Sequence, residues 1–132
     1  MTRSHAAVAD LPSDLVYAGF SNGAASAELL AVTRPGARGA VLMHGALPVQ
    51  LFGAEAWPAS VPVQLHQAVD DPFREPQADI AFAASVDASG ARFEAFDYPI
   101  VGHLFADSAL EEFDAGSAEM MMERVLEFLR AV

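Results

Sequence analysis

The stretch Gly19-Phe20-Ser21-Asn22-Gly23 determines how the rest of the chain is interpreted. It matches the pattern Gly-x-Ser-x-Gly, in which a serine sits on a sharp turn between a strand and a helix. The apolar run 15–18 before it favours a strand, and the alanine-rich run 24–31 after it favours a helix. We therefore predict that Ser21 is an exposed nucleophile. The backbone N–H of Asn22, at the start of the helix, would face a developing oxyanion.

Composition favours one globular domain spanning residues 1–132. The 132 residues are 53% hydrophobic and include nine Phe, which is enough to build a buried core. A formal net charge of −11 argues against nucleic acid or an anionic membrane as partner. The chain has no cysteine, which excludes disulfides and cysteine-based zinc sites and fits a reducing compartment. With neither a signal-peptide pattern nor an apolar run of membrane-spanning length, we expect a soluble cytoplasmic protein.

Strand-like and helix-like segments alternate along the chain. The run 39–44 is continuously apolar, as expected for a parallel strand that is buried on both faces. Further strands are predicted at 61–66 and 92–98, and the alternating pattern of 92–98 is typical of a strand near the edge of a sheet. Helices are predicted at 77–86 and 117–131. This alternation predicts an α/β fold, with a parallel sheet and flanking helices.

Three polar residues follow predicted strands, at the end of a parallel sheet where functional residues gather. They are Ser21, Asp71 and His103. Their order along the chain, Ser, Asp, His, is that of α/β hydrolases. A serine hydroxyl needs an imidazole to accept its proton, and the imidazole needs a carboxylate to fix its tautomer. The spacing therefore predicts Ser21 as nucleophile, His103 as general base and Asp71 as the acid that orients it.

Other residues compete for these roles. The alternative acids are Asp70, which we rank second, Asp97 and Asp107. His44 and His66 lie at or beside strand ends and are typical of core or supporting histidines. Their spacing matches no H-x-x-x-H or H-E-x-x-H pattern, so no metal site is predicted.

Four segments together resemble the dienelactone hydrolase family in its serine-bearing bacterial form. They are residues 19–23, 61–66 (Val-Pro-Val-Gln-Leu-His), 71–73 (Asp-Pro-Phe) and 102–107 (Gly-His-Leu-Phe-Ala-Asp). The resemblance covers nearly the whole chain. It implies an α/β-hydrolase fold, no cofactor, a small-molecule ester or lactone as substrate, and a triad of Ser21, Asp71 and His103. Dienelactone hydrolase itself carries cysteine as nucleophile.

The resemblance also implies strands before the one that carries Ser21, so the chain resembles the C-terminal part of the fold, shortened at its N-terminus. The strand at 15–18 would then lie at an open edge, and we expect a homodimer that covers it. A second hypothesis is a non-catalytic remnant of the fold that serves as a binding or assembly subunit. Four residues are predicted to form an apolar wall for the substrate, although core packing suits each equally: Phe52, Trp57, Phe73 and Leu104.

Overall fold

The computed structural model describes residues 2–132 as a parallel sheet flanked by helices, which confirms the predicted fold class. The four strands lie in the order β1-β2-β3-β4, and each pairs in parallel with the next. In chain order the elements are α1 (Arg3–Ala7), β1 (Val16–Phe20), α2 (Asn22–Thr33), β2 (Gly39–Met43), a short 3₁₀ helix (Val49–Phe52), β3 (Val63–Asp70), α3 (Pro76–Ser89), β4 (Phe93–Val101) and α4 (Ala115–Ala131).

Burial of the strands follows their position in the sheet. All five residues of β2 are buried, as its continuous apolar sequence predicts. The strand β4 has one buried residue, Tyr98, among exposed and half-buried ones, and it lies at one edge, so the edge position predicted from its alternation is confirmed. At the opposite edge, β1 pairs only with β2 among the described residues.

A hydrophobic layer lies on each face of the sheet, because successive strand residues point to opposite sides. On one face, Leu42 packs in a cluster with Leu30 of α2 and Phe82 of α3. On the other face, Val41 and Met43 pack with residues that recur along α4: Met121, Val125 and Phe128. Among residues 2–132, no helix combines the length and apolar character needed to cross a membrane.

The strands β3 and β4 extend further than the sequence predicts. We predicted 61–66 and 92–98, whereas the strands run to Asp70 and Val101. They continue because they pair with each other beyond the apolar runs, from Gln67 with Asp97 to Asp70 with Val101, across one irregularity in register. Because the strands are parallel, β3 and β4 end on the same side of the sheet as β1, which ends next to Ser21.

Candidate active site

A sharp turn holds Ser21 between β1 and α2. The strand ends at Phe20, the helix begins at Asn22, and Ser21 has φ 52° and ψ −116°. Positive φ is rare for a residue with a side chain and is maintained only where the surroundings enforce it. The N–H of Ser21 donates to the carbonyl of Met43 at 2.8 Å, which fixes the turn against β2.

Only the first glycine of the motif is required by close packing. A Cβ on Gly19 would collide with the carbonyl group of Gly23 and would lie 2.7 Å from the backbone nitrogen of Ala24. A Cβ on Gly23 would meet nothing within 4 Å. Gly19 therefore allows the backbones of β1 and α2 to approach, whereas this approach does not require a glycine at position 23.

A chain of hydrogen bonds joins Ser21, His103 and Asp71. The Oγ of Ser21 lies 2.7 Å from Nε2 of His103, and Nδ1 of His103 lies 2.6 Å from Oδ2 of Asp71. The second oxygen of Asp71 accepts the backbone N–H of Phe73 at 2.8 Å, so the carboxylate is held at both ends. The three side chains thus have the arrangement in which an imidazole can take the serine proton while a carboxylate orients it.

The alternative acids make other contacts. Asp97 pairs with Arg74 at 2.7 Å, and Asp107 accepts the backbone N–H of Ala109 at 2.9 Å. Asp70 is exposed, whereas Asp71 is buried. Of the four candidates, Asp71 is the one that contacts His103.

Glu112 positions the loop that carries His103 and was missed in the sequence. Its Oε2 accepts the N–H of His103 at 3.0 Å, and its Oε1 accepts the N–H of Leu104 at 2.8 Å. These two hydrogen bonds hold the pKa of Glu112 below its ordinary value. Gly102, with φ +130°, lies so close to Glu112 that a Cβ there would be 2.8 Å from Oε2. No short motif joins Glu112 to His103, so the sequence carries no signal for this contact.

A cavity of about 220 Å³ opens beside Ser21. Asn22 lines it at the first position of α2, where a backbone N–H has no acceptor within the helix. Phe73 also lines it, with its ring centroid 4.8 Å from that of His103 and its side chain largely exposed. The structure thus brings Asn22 and Phe73 to the same opening as Ser21 and His103.

The other predicted wall residues lie elsewhere. Leu104 lines a second cavity of about 420 Å³, together with Phe20 and His44. Trp57 is 2% exposed, packs against Phe82 and donates its indole N–H to the carbonyl of Val61, so its assignment to the wall is wrong. Phe52, in the 3₁₀ helix, is not among the residues that line either cavity.

Two further buried polar residues adjoin the site. His44 is 3% exposed, and burial, with a smaller effect from His103, lowers its pKa to about 4. Glu28 of α2 is fully buried, and burial raises its pKa to about 8 even though its Oε2 accepts the N–H of Leu47. A lone acidic residue on an alanine-rich helix is the signal that could have pointed to Glu28.

His66 is also buried, as expected of a core histidine. Its Nδ1 lies 2.9 Å from the hydroxyl of Tyr98, and its Nε2 lies 2.8 Å from Oε1 of Gln64. Among the described residues, no group of three His, Asp or Glu side chains is placed to hold a metal ion.

Comparison of the sequence with protein families matches the dienelactone hydrolase family over residues 3–132. The chain belongs to this family. A search of curated proteins finds no relative that matches in sequence.

Solved structures show the same fold. A dienelactone hydrolase-like promiscuous phosphotriesterase from metagenomic libraries is 18% identical, with a TM-score of 0.75 over 88% of this chain and 51% of its own. A protein of unknown function from Agrobacterium tumefaciens is 28% identical, with a TM-score of 0.63 over 88% of this chain and 50% of its own. Esterase 2 of Thermogutta terrifontis, phosphonylated by cyclosarin, is 18% identical, with a TM-score of 0.70 over 91% of this chain and 55% of its own. The chain therefore spans about half the length of each of these three proteins.

Proposed function

We propose that the chain hydrolyses a carboxylic ester or lactone through a Ser-His-Asp triad. The observation that carries this proposal is the hydrogen-bonded chain from Ser21 through His103 to Asp71, at 2.7 and 2.6 Å, beside an open cavity. Membership of the dienelactone hydrolase family supports the same reaction class.

In this mechanism, Oγ of Ser21 attacks the carbonyl carbon while its proton passes to Nε2 of His103. The carbonyl oxygen becomes an oxyanion that accepts the N–H of Asn22. His103 then gives the proton to the leaving alkoxide, and an acyl-serine remains. Water repeats the sequence with His103 as base, which releases the acid and restores Ser21. The carboxylate of Asp71 keeps Nδ1 of His103 protonated and stabilises the imidazolium.

The rate of this reaction depends on the number of oxyanion donors. Asn22 is the one donor that we assign among the described residues, and loss of a single donor typically costs about 10² to 10³ in rate. We therefore propose that residues 1–132 alone form a weak esterase. The reaction needs no cofactor, and the absence of cysteine from the sequence supports a cytoplasmic location.

We also propose that the chain forms a homodimer through β1. This strand has one neighbour within residues 2–132, and its Ala18 and Phe20 are exposed. An open edge with apolar side chains favours pairing with another strand, and a second copy of β1 would pair by two-fold symmetry. In sedimentation at micromolar concentration, Ala18→Lys should shift the dimer towards monomer, whereas Ala84→Lys on the exposed face of α3 should not. A parent chain that sediments as a monomer contradicts this proposal.

A fluorophosphonate probe tests the hydrolase proposal directly, because it forms a stable adduct with an activated serine. We expect the adduct on Ser21 by mass spectrometry and its loss in Ser21→Ala. Ser26→Ala, five residues further along α2, is the matched control and should label like the parent. Hydrolysis of p-nitrophenyl butyrate should follow the same pattern. An unlabelled Ser21 together with no turnover would favour the alternative, a non-catalytic binding or assembly subunit.

A further inference from the structure

His44 is a buried imidazole whose two ring nitrogens have no hydrogen-bond partner among the described residues. Buried polar groups are paired in the great majority of cases, and leaving one unpaired weakens the folded state. His66 shows the usual situation, since both of its ring nitrogens are engaged. The unpaired ring of His44 therefore needs an explanation from its position.

The backbone of His44 has the same unusual geometry as that of Ser21. Within residues 2–132, these are the two residues other than glycine with positive φ, at 66° and 52°. Phe20 pairs with Met43 in the register of β1 and β2, so Ser21 and His44 occupy adjacent positions just beyond the two strands. Strained residues of this kind cluster at functional sites.

Aromatic rings enclose the imidazole of His44 on several sides. Its centroid lies 5.6 Å from that of Phe20, 4.7 Å from that of Phe105 and 5.9 Å from that of His103. Phenylalanine rings offer no conventional hydrogen-bond group. His44 lines both of the cavities that open near Ser21, so a molecule bound in either cavity would lie against this residue.

The surroundings favour an uncharged partner. A pKa of about 4 leaves the ring neutral near neutral pH, with one nitrogen that donates and one that accepts. A hydroxyl group can pair with either. A carboxylate is disfavoured because Glu75 lines the first cavity and Asp107 lines the second, whereas Asp79 in the first cavity is paired with Arg74. In the second cavity, Phe20 and Leu104 provide apolar contacts for a short hydrocarbon part.

We propose that His44 is a substrate-binding residue that hydrogen-bonds an uncharged hydroxyl group on the ester. Esters of short hydroxy acids are the substrate class that this arrangement selects. The inference rests on the proposed function in one respect, that the hydroxyl belongs to the molecule that Ser21 attacks.

Matched esters test the selectivity. We compare p-nitrophenyl 3-hydroxybutyrate with p-nitrophenyl butyrate, and the parent chain with His44→Phe, which keeps a ring but removes both polar atoms. The parent should prefer the hydroxy ester in kcat/KM, and the ratio between the two esters should fall at least about tenfold in His44→Phe, mainly through KM. His44→Asn should keep part of the preference, since asparagine tolerates positive φ and can donate and accept. A parent without preference, or a ratio that His44→Phe leaves unchanged, overturns the inference.

Binding without hydrolysis separates this inference from the proposed function. In Ser21→Ala, long-range ¹H–¹⁵N spectra should show a shift of the His44 ring nitrogens on addition of millimolar N-methyl-3-hydroxybutanamide, and not of N-methylbutanamide. The ring of His5, on α1, serves as the internal reference, and His44→Asn assigns the signals. If the His44 signals shift in Ser21→Ala but the parent chain shows no esterase activity, the binding role is retained and the hydrolase proposal is rejected. If the parent chain is an active esterase but the His44 signals do not shift, the hydrolase proposal is retained and the binding role of His44 is rejected.

Discussion

Glu112 and His103 are joined through the backbone of the loop after β4, by a hydrogen bond of 3.0 Å from the His103 N–H to Oε2. The other carboxylate oxygen accepts the N–H of Leu104 at 2.8 Å. Since Glu112 touches no reacting atom, its effect on chemistry would pass through the position of the His103 ring. A displacement of about 1 Å in such a ring can cost about 10² in rate.

We therefore expect Glu112→Ala to lower kcat of ester hydrolysis by about ten- to a hundredfold, with a smaller change in KM. Glu112→Gln keeps one carbonyl oxygen as acceptor, so its kcat should lie between that of the parent and that of Glu112→Ala. Glu111→Ala is the matched control, because it removes the same charge from an exposed neighbouring position. Equal rates for the Glu111 and Glu112 variants would show that the loop holds His103 without this anchor.

Asp71 and Asp70 form a second matched pair, adjacent in the chain but different in contact. Asp71 holds Nδ1 of His103 at 2.6 Å, whereas Asp70 is exposed. An amide at position 71 favours the wrong imidazole tautomer, so Asp71→Asn should lower kcat by about 10² to 10⁴. Asp70→Asn should stay near the parent. Steady-state kinetics on one activated ester test which aspartate orients His103. A large loss in Asp70→Asn with little change in Asp71→Asn would assign this role to Asp70.

The two glycines of the turn should respond to alanine in opposite ways. In Gly19→Ala, the new Cβ meets the backbone of Gly23 and Ala24, and we expect a loss of about 1–3 kcal/mol in the free energy of unfolding. In Gly23→Ala, the methyl group enters open space on a helix, and a gain of roughly 0.5–1 kcal/mol is expected. Urea unfolding measures both. A stable Gly19→Ala would mean that β1 and α2 can separate without cost.

The sequence predicted the parts of this molecule that depend on local pattern. The buried apolar run of β2 indicated an internal parallel strand, and the rule that polar residues follow the strand ends brought Ser21, Asp71 and His103 together. The prediction that Trp57 lines the substrate site was wrong, because an apolar residue in a loop has the same sequence pattern whether it lines a cavity or packs in the core. Glu112 and His44 could not be predicted, since their roles depend on contacts across loops and strands that no local spacing encodes.

Glu28 should make stability depend on pH through its burial in α2. In the folded chain its pKa is raised from 4.5 to about 8, while the unfolded chain releases the proton near 4.5. Its contribution to stability is therefore complete below pH 4.5 and declines as the pH rises towards about 8, because the folded state must either keep the proton or bury a charge.

Glu28→Gln removes this titration while keeping an oxygen for the N–H of Leu47, which Oε2 accepts at 2.9 Å in the parent. The amide nitrogen would take the place of Oε1, which has no partner among the described residues. The amide is uncharged, as the protonated carboxyl group of the parent is. The two proteins should thus have similar free energies of unfolding near pH 5, and the variant should be more stable by at least about 2 kcal/mol near pH 9. Urea unfolding at a series of pH values gives this difference, in which the titration of other groups cancels. Glu119→Gln, on the exposed side of α4, is the control for the change in net charge and should show no such trend. A constant difference in the free energy of unfolding between the parent and Glu28→Gln across this range would contradict the prediction. It would mean that the carboxyl group ionises in the folded chain at its ordinary pKa.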